Sequence, residues 1–212
     1  MRKRPLPPVF GFYSVLTDPL KGYEYLTSLL VDHAVPVVQL RMKDVPLETV
    51  SATALRMRKI TDGTDTRLII NDHPRIAASV GADGVHIGQS DISYGEARAI
   101  VGDEMLIGIS THTLQQTQNA CAMQSDYIGI GPVFATPTKK IPDMPIGING
   151  MRGMLAAATV PAVCIGGIGL GNLAQVLEAG AKNFCMVRQL TQSKNPELVL
   201  KEIMRIYNKC IS

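Results

Sequence analysis

Gly81-Ala82-Asp83-Gly84-Val85-His86-Ile87 holds the grammar of the whole chain in seven residues. A helix stops at a glycine, the backbone turns at once, and a short apolar strand begins. Gly180-Ala181-Lys182-Asn183-Phe184 repeats the pattern far downstream. Outward from these two points, short apolar runs alternate with longer segments of helical period. Strands are predicted at Val9–Leu16, Val37–Arg41, Arg67–Asn71, Gly84–Ile87, Leu106–Ser110, Tyr127–Ile130, Ala162–Ile165 and Phe184–Val187. Helices are predicted at Gly22–His33, Leu47–Asp62, Pro74–Val80, Tyr94–Val101, Leu114–Met123, Gly150–Ala157, Leu170–Ala179 and Pro196–Tyr207. Eight strands in strict alternation with helices point to an α/β protein, a single (β/α)8 TIM barrel, more than to an open doubly wound sheet.

Length and composition agree. The 212 residues form one domain at the short end of the barrel range, with residues 1–8 expected as an N-terminal tail. Arg2-Lys3-Arg4 is followed by Pro5, Pro7 and Pro8, the mark of a solvated tail. Hydrophobic residues make up 46% of the chain but aromatics only 5%, with no Trp, so Val, Ile, Leu, Ala and Met must fill the core. Small branched residues suit a parallel sheet covered on both faces. The net charge of +3, from 21 basic and 18 acidic residues, is too balanced for a nucleic-acid partner. No apolar signal segment and no membrane-spanning run is present, so a cytoplasmic protein is expected. The four cysteines, at 121, 164, 185 and 210, have no C-x-x-C spacing and read as reduced thiols, with Cys164 and Cys185 in the core. His33, His73, His86 and His112 are too scattered for zinc. The assembled state stays open, a homo-oligomer included.

Barrel chemistry gathers where strands end. The second strand leads into Gln39, Arg41 and Lys43, which alternation places on one side. The third ends in Asn71-Asp72, and His86, Gln89 and Asp91 follow the fourth. Ser110 and His112 follow the fifth, Gly131 to Lys140 the sixth, Gly166-Gly167-Ile168-Gly169 the seventh and Val187-Arg188-Gln189 the eighth. Each has an ordinary explanation alone. Arg41 and Lys43 could be surface charges, Asp72 and Asp91 helix caps, and His86 and His112 structural histidines. Together they supply cations, two acids, hydroxyls and a glycine-rich turn at one end, an inventory for phosphate oxygens and a hard cation. Mg²⁺ commonly takes one or two protein carboxylates beside water and substrate phosphates. The longest irregular segment, Phe134–Asn149, is expected to act as a lid.

Six motifs occur in register: Gln-Leu-Arg-Met-Lys at 39–43, Asn-Asp at 71–72, Gly-Val-His-Ile-Gly-Gln-Ser-Asp at 84–91, Gly-Ile-Ser-Thr-His-Thr at 108–113, Asp-Tyr-Ile-Gly-Ile-Gly-Pro-Val-Phe-Ala-Thr-Pro-Thr-Lys at 126–139 and Ile-Gly-Gly-Ile at 165–168. From Tyr13 to Val187 the chain closely resembles the thiamine-phosphate synthase (thiamine-phosphate pyrophosphorylase) family. The resemblance implies transfer of a hydroxymethylpyrimidine group from its diphosphate to the nitrogen of a thiazole phosphate, plain or carboxylated, with release of diphosphate. It implies that Gln39, Leu40, Arg41, Met42 and Lys43, with Asn71, Ser110 and Lys139, bind the pyrimidine diphosphate. Of these, Arg41, Lys43, Ser110 and Lys139 would carry the chemistry. Asp72 and Asp91 would hold Mg²⁺. Thr136, Pro137, Thr138, Gly166, Val187 and Arg188 would bind the thiazole phosphate.

A dissociative transfer of this kind needs stabilised leaving-group charge and good positioning, not an activated nucleophile. Neither Cys164 nor Ser110 is therefore a covalent catalyst. One departure stands out, since Arg188 follows the last strand where the family usually has Ser. A related thiazole tautomerase, with His112 moving the proton, is the nearest rival. Asn71-Asp72, Asp91 and the Thr136-x-Thr138-Lys139 set speak against it, because a tautomerase has no use for diphosphate machinery. A phosphate-binding barrel of other function and a catalytically silent barrel are further rivals.

Overall fold

The computed structural model describes residues 5–136 and 144–211. Eight parallel strands run in chain order: β1 (Phe12–Leu16), β2 (Val37–Leu40), β3 (Arg67–Asn71), β4 (Gly84–Ile87), β5 (Leu106–Thr111), β6 (Tyr127–Ile130), β7 (Ala162–Cys164) and β8 (Asn183–Met186). The sheet closes because β1 pairs with both ends of the series, Tyr13 standing beside Val37 of β2 and Cys185 of β8. Helices α1 (Tyr23–Asp32), α2 (Leu47–Thr61), α3 (Pro74–Val80), α4 (Tyr94–Val101), α5 (Leu114–Ala122), α6 (Gly147–Ala157) and α7 (Leu173–Glu178) return the chain between strands. A four-residue helix α8 (Arg188–Thr191) and a long α9 (Pro196–Ile211) follow β8.

The two-residue period of the strands sorts side chains into two cores. Phe12, Leu16, Val38, Leu40, Leu68, Ile70, Val85, Ile107, Ile128, Cys164 and Phe184 point outward and pack under the helices. Tyr13, Val15, Val37, Ile69, Leu106, Tyr127, Val163 and Cys185 point inward, and Leu6 packs with them at the N-terminal end of the barrel. The inward set would overfill the lumen were it not relieved by glycine. A Cβ on Gly108 would lie 2.1 Å from the Tyr127 ring, and one on Gly84 would lie 2.7 Å from Leu106 and Ile69. Gly108 makes the room that the Tyr127 ring occupies, and Gly84 the room for Ile69 and Leu106.

The quoted motif is realised as read. Gly81 ends α3 in the left-handed conformation, with φ 64°. Asp83, at the turn before β4, has a second task, because its carboxylate accepts from the Leu68 amide of β3 at 2.9 Å. Asp126, before β6, does the same for Ile107 of β5 at 2.7 Å. Asn183 of β8 accepts from Phe10 and Gly11 at 2.6 and 3.0 Å. Three of the four even strands thus have a polar side chain at their start that tethers a neighbouring strand of the ring. Arg58 and Arg98 pair with Asp83 and Asp126 from α2 and α4.

Several boundaries depart from the sequence reading. The expected tail is pinned from Leu6 onward, because the apolar lumen must be plugged and Pro8 accepts from Asn183 at 3.0 Å. Strand β1 starts at Phe12 rather than Val9, since Asn183 takes the amides that a longer ladder would use. Helix α6 begins at Gly147, earlier than Gly150, because glycine-rich residues hide a first turn anchored by Ile146 and Gly147 amides on Pro132 and Val133. Helix α7 begins late, at Leu173, because Asn172 folds the preceding residues into a turn. The short α8 carries too few residues to register as a period at all. Among the described residues no helix is long and apolar enough to cross a membrane.

Gly108→Ala forces a methyl group into the Tyr127 ring, so it should cost about 2–3 kcal/mol of stability. That corresponds to a melting temperature lower by roughly 4–10 °C for a domain of this size. An unchanged melt would mean that the ring can move aside freely.

Candidate active site

At the C-terminal end of the strands the packed lumen gives way to a cavity of about 760 Å³. Its wall comes from every strand end except the outward positions. Gln39, Arg41 and Lys43 line it from β2, whereas Leu40 is buried outside and Met42 packs on the helix-side core. Any contact of Leu40 or Met42 with a ligand would therefore be a main-chain one. The Arg41 amide bonds Leu16 at 2.9 Å, which carries the β1–β2 ladder one residue past the strand and fixes the direction of its side chain.

On the β3–β5 arc, Asn71 and Asp72 face Asp91 and Ser110. Asp72 holds a left-handed backbone at φ 63°, and its amide bonds the His86 carbonyl at 2.8 Å. The sequence allowed Asp72 and Asp91 to be helix caps, and neither is. His73 precedes α3, and Ser93 with Glu96 forms a capping box on α4. Instead Asp72 pairs with Lys43, and the two carboxyl groups hydrogen-bond each other. Burial and the neighbouring Asp91 hold the Asp72 carboxyl above its ordinary value despite Lys43. For Asp91 burial acts the same way but is outweighed by the Asp72 hydrogen bond, the Gly88 amide at 2.7 Å, and the charge of Lys43. Its pKa is lowered. The two carboxyl groups are thus unequal, Asp72 being the more readily protonated.

The β6–β8 arc is made of backbone. Val133 and Phe134 donate to Ile165 and Gly166, both at 2.9 Å, so the loop after β6 zips onto the turn after β7. A Cβ on Gly166 would stand 2.4 Å from Pro132, and one on Gly167 would stand 2.6 Å from the Ala135 carbonyl. Only glycine fits there, and both adopt positive φ. Asn172 holds the turn from below, accepting from Gly169 at 2.8 Å and donating to Gly167 at 2.9 Å. Thr136, Gly166, Val187 and Arg188 all line this side. Pro137, Thr138 and Lys139 lie outside the described residues, as does most of the segment expected to form a lid.

Charge is distributed unevenly around the rim. Lys43 is neutralised by Asp72, but among the described residues no carboxylate pairs with Arg41 or Arg188, which flank the end of β1. His112 also lines the cavity, with Nδ1 on the Gly131 carbonyl. The Cys164 thiol is pushed up to about 12 by burial behind β7, away from the cavity. It lies in the core, as expected. Tyr13, Val15, Gln116, Val163 and Cys185 also line the cavity, and the sequence reading of the site named none of them. Tyr13 could have been found from strand alternation, since it is the inward residue of β1.

Residues 17–190 match the thiamine monophosphate synthase family. The chain belongs to that family. The thiamine-phosphate synthase of Caldicellulosiruptor bescii is 35% identical over 181 residues, covering 85% of this chain and 83% of its relative. That of Lawsonia intracellularis is 35% identical over 194 residues, covering 90% and 89%. Among solved structures, the thiamine phosphate pyrophosphorylase of Pyrococcus furiosus superposes with a TM-score of 0.87 at 24% identity, covering 96% of this chain and 98% of that one. The 3-hexulose-6-phosphate synthase of Salmonella typhimurium shares the barrel too, with a TM-score of 0.71 at 11% identity over 94% and 99%. The fold alone therefore does not separate these chemistries, whereas the family match does.

Unpaired guanidinium groups at a cavity are anion sites. Inorganic diphosphate should raise the melting temperature of the protein, and Arg41→Ala should weaken its binding by about tenfold in calorimetry. Equal affinity in the variant would show that Arg41 faces solvent.

Proposed function

We propose that this cavity performs the family's transfer by holding the diphosphate leaving group on the β2–β5 arc and the thiazole phosphate on the β6–β8 arc. The reaction is that of a thiamine-biosynthetic transferase. A hydroxymethylpyrimidine group leaves its diphosphate and joins the nitrogen of hydroxyethylthiazole phosphate, or of its carboxylated form, to give thiamine phosphate and diphosphate. The observation that carries the division of roles is a single cavity with two unlike walls. One wall presents cations and acids, and the other a glycine turn with Thr136 and Arg188.

When the carbon–oxygen bond breaks, its electron pair departs with the diphosphate. Negative charge grows where Arg41 already stands, so its orientation requires no rearrangement during the reaction. Lys139 would join it, an assignment that rests on the family resemblance. Asp72 and Asp91 suit a divalent ion such as Mg²⁺, because two hard oxygen donors in hydrogen-bond contact repel unless a proton or a cation lies between them. Among the described residues no third acidic, His or Cys ligand joins them, which leaves coordination positions for water and phosphate oxygens. Bound there, the ion would supply neutralisation of diphosphate charge. Lys43, released from Asp72 by that exchange, would turn to the leaving group.

On the other wall the thiazole nitrogen brings the lone pair that forms the new carbon–nitrogen bond. The chain's part is to hold that nitrogen in line and to keep water out. Backbone amides at Gly166 and after Val187 suit the phosphate, and Arg188 offers a fork of donors where a shorter hydroxyl would offer one.

Purified protein given pyrimidine diphosphate, thiazole phosphate and Mg²⁺ should release thiamine phosphate, and EDTA should abolish the product. Asp72→Ala or Lys139→Ala should lower kcat by roughly 100-fold or more with the fold intact. Near-normal turnover in either variant would refute the assignment. Arg188→Ser should raise KM for thiazole phosphate about tenfold and leave KM for the pyrimidine diphosphate alone. Loss confined to the pyrimidine substrate would move Arg188 to the other wall.

A further inference from the structure

Along the cavity floor, five side chains from five strands are joined end to end. Gln39 Nε2 donates to the Tyr13 hydroxyl at 2.8 Å. The Tyr13 and Tyr127 hydroxyls lie 2.8 Å apart. The Tyr127 hydroxyl meets His86 Nδ1 at 3.1 Å, and His86 Nε2 meets Ser110 Oγ at 2.9 Å. Gln39, Tyr13, Tyr127 and His86 are all buried. The chain begins at a residue assigned to the pyrimidine diphosphate and ends at another. No role in the transfer has yet been given to the three groups between them.

Proton counting gives the chain one direction. A phenol has a single proton, and an amide nitrogen can only donate. Because Tyr13 accepts from Gln39, its own proton goes to Tyr127. The Tyr127 proton then goes to His86 Nδ1, which must be an acceptor. A neutral imidazole in that state carries its proton on Nε2 and gives it to Ser110 Oγ. The Ser110 proton has no use inside the chain and is left for the cavity. At the other end, one N–H of Gln39 Nε2 is committed to Tyr13, which fixes the amide plane and presents Oε1 as its acceptor for a ligand. Burial supports the same direction, since it raises the pKa of both phenols and keeps them protonated.

We propose that Tyr13, Tyr127 and His86 are positioning residues that form a one-way hydrogen-bonded chain holding Ser110 as a donor, and Gln39 as an acceptor, toward the pyrimidine diphosphate. No proton is transferred along it. It fixes orientation before substrate arrives, so the Ser110 hydroxyl is aimed at developing oxygen charge without reorganising. The Ser110 main chain is fixed as well, its carbonyl accepting from Gln89 at 2.6 Å. The inference rests on the proposed reaction for its consequence, but not for its geometry.

Two measurements test it. In protein labelled with ¹⁵N-histidine, nitrogen–proton correlation spectra of the resting enzyme should show His86 as the neutral Nε2–H tautomer. A neutral Nδ1–H tautomer would mean that the chain runs the other way and would overturn the proposal. Tyr127→Phe keeps the ring above Gly108 and breaks the chain at one atom. It should lower kcat about tenfold without changing KM for thiazole phosphate. The double variant Tyr127→Phe/Ser110→Ala should turn over no more slowly than Ser110→Ala alone. Multiplying losses, or unchanged kcat in Tyr127→Phe, would overturn the proposal. Should the wild type form no thiamine phosphate, the proposed reaction falls, while the tautomer measurement still decides the direction of the chain.

Discussion

The contact between the Tyr13 and Tyr127 hydroxyls joins β1 to β6 across the inside of the barrel, and the architecture above and below depends on it. The two rings meet edge to face with centroids 5.8 Å apart, a favourable arrangement for aromatic quadrupoles. Below them Leu6, Val37, Ile69 and Leu106 close the lumen as a dry core. Above them the wall turns polar and the cavity opens. The pair is an apolar plug on its lower side and a hydrogen-bonding surface on its upper side. A phenylalanine pair could supply the plug but would leave Gln39 and His86 buried without these partners, at the cost of unsatisfied polar groups.

Space for this partition is made by absence of side chains. Tyr127 fits because Gly108 has no Cβ, and the loop after β6 fits against β7 because Gly166 and Gly167 have none. Backbone takes the place of side chains on the β6–β8 wall, where amides can approach a phosphate. On the β2–β5 wall long charged side chains extend from the alternate residues of β2. One fold thereby presents two chemically different surfaces to one cavity, which suits a reaction joining two different substrates.

Much of this was legible from residue order. The motif at 81–87 implied a helix stop and a strand, and Gly81 is indeed left-handed. Alternation implied that Gln39, Arg41 and Lys43 share a side, and they line the cavity together while Leu40 is buried behind. The capping alternatives for Asp72 and Asp91 were equally sound locally and are not realised, because His73 and Ser93 occupy those positions. A cap is decided by where a helix starts to within one residue, which local pattern does not resolve. Helix α8 and the late start of α7 were missed for a similar reason. Four residues make no period, and Asn172 diverts its own neighbours by side-chain hydrogen bonds.

The sequence by itself determined the alternation of elements, the class of the barrel, the strand ends that carry charge, and the family, because each is written in local periodicity and in motif spacing. Tertiary structure alone decided that Asp72 meets Asp91 and Lys43, that Arg41 and Arg188 have no carboxylate partner among the described residues, and that five residues from 13 to 127 form one hydrogen-bonded chain. The physical reason is closure. Contacts across a barrel depend on the stagger of strands far apart in the chain, and no local preference encodes which inward side chains will face one another across the lumen.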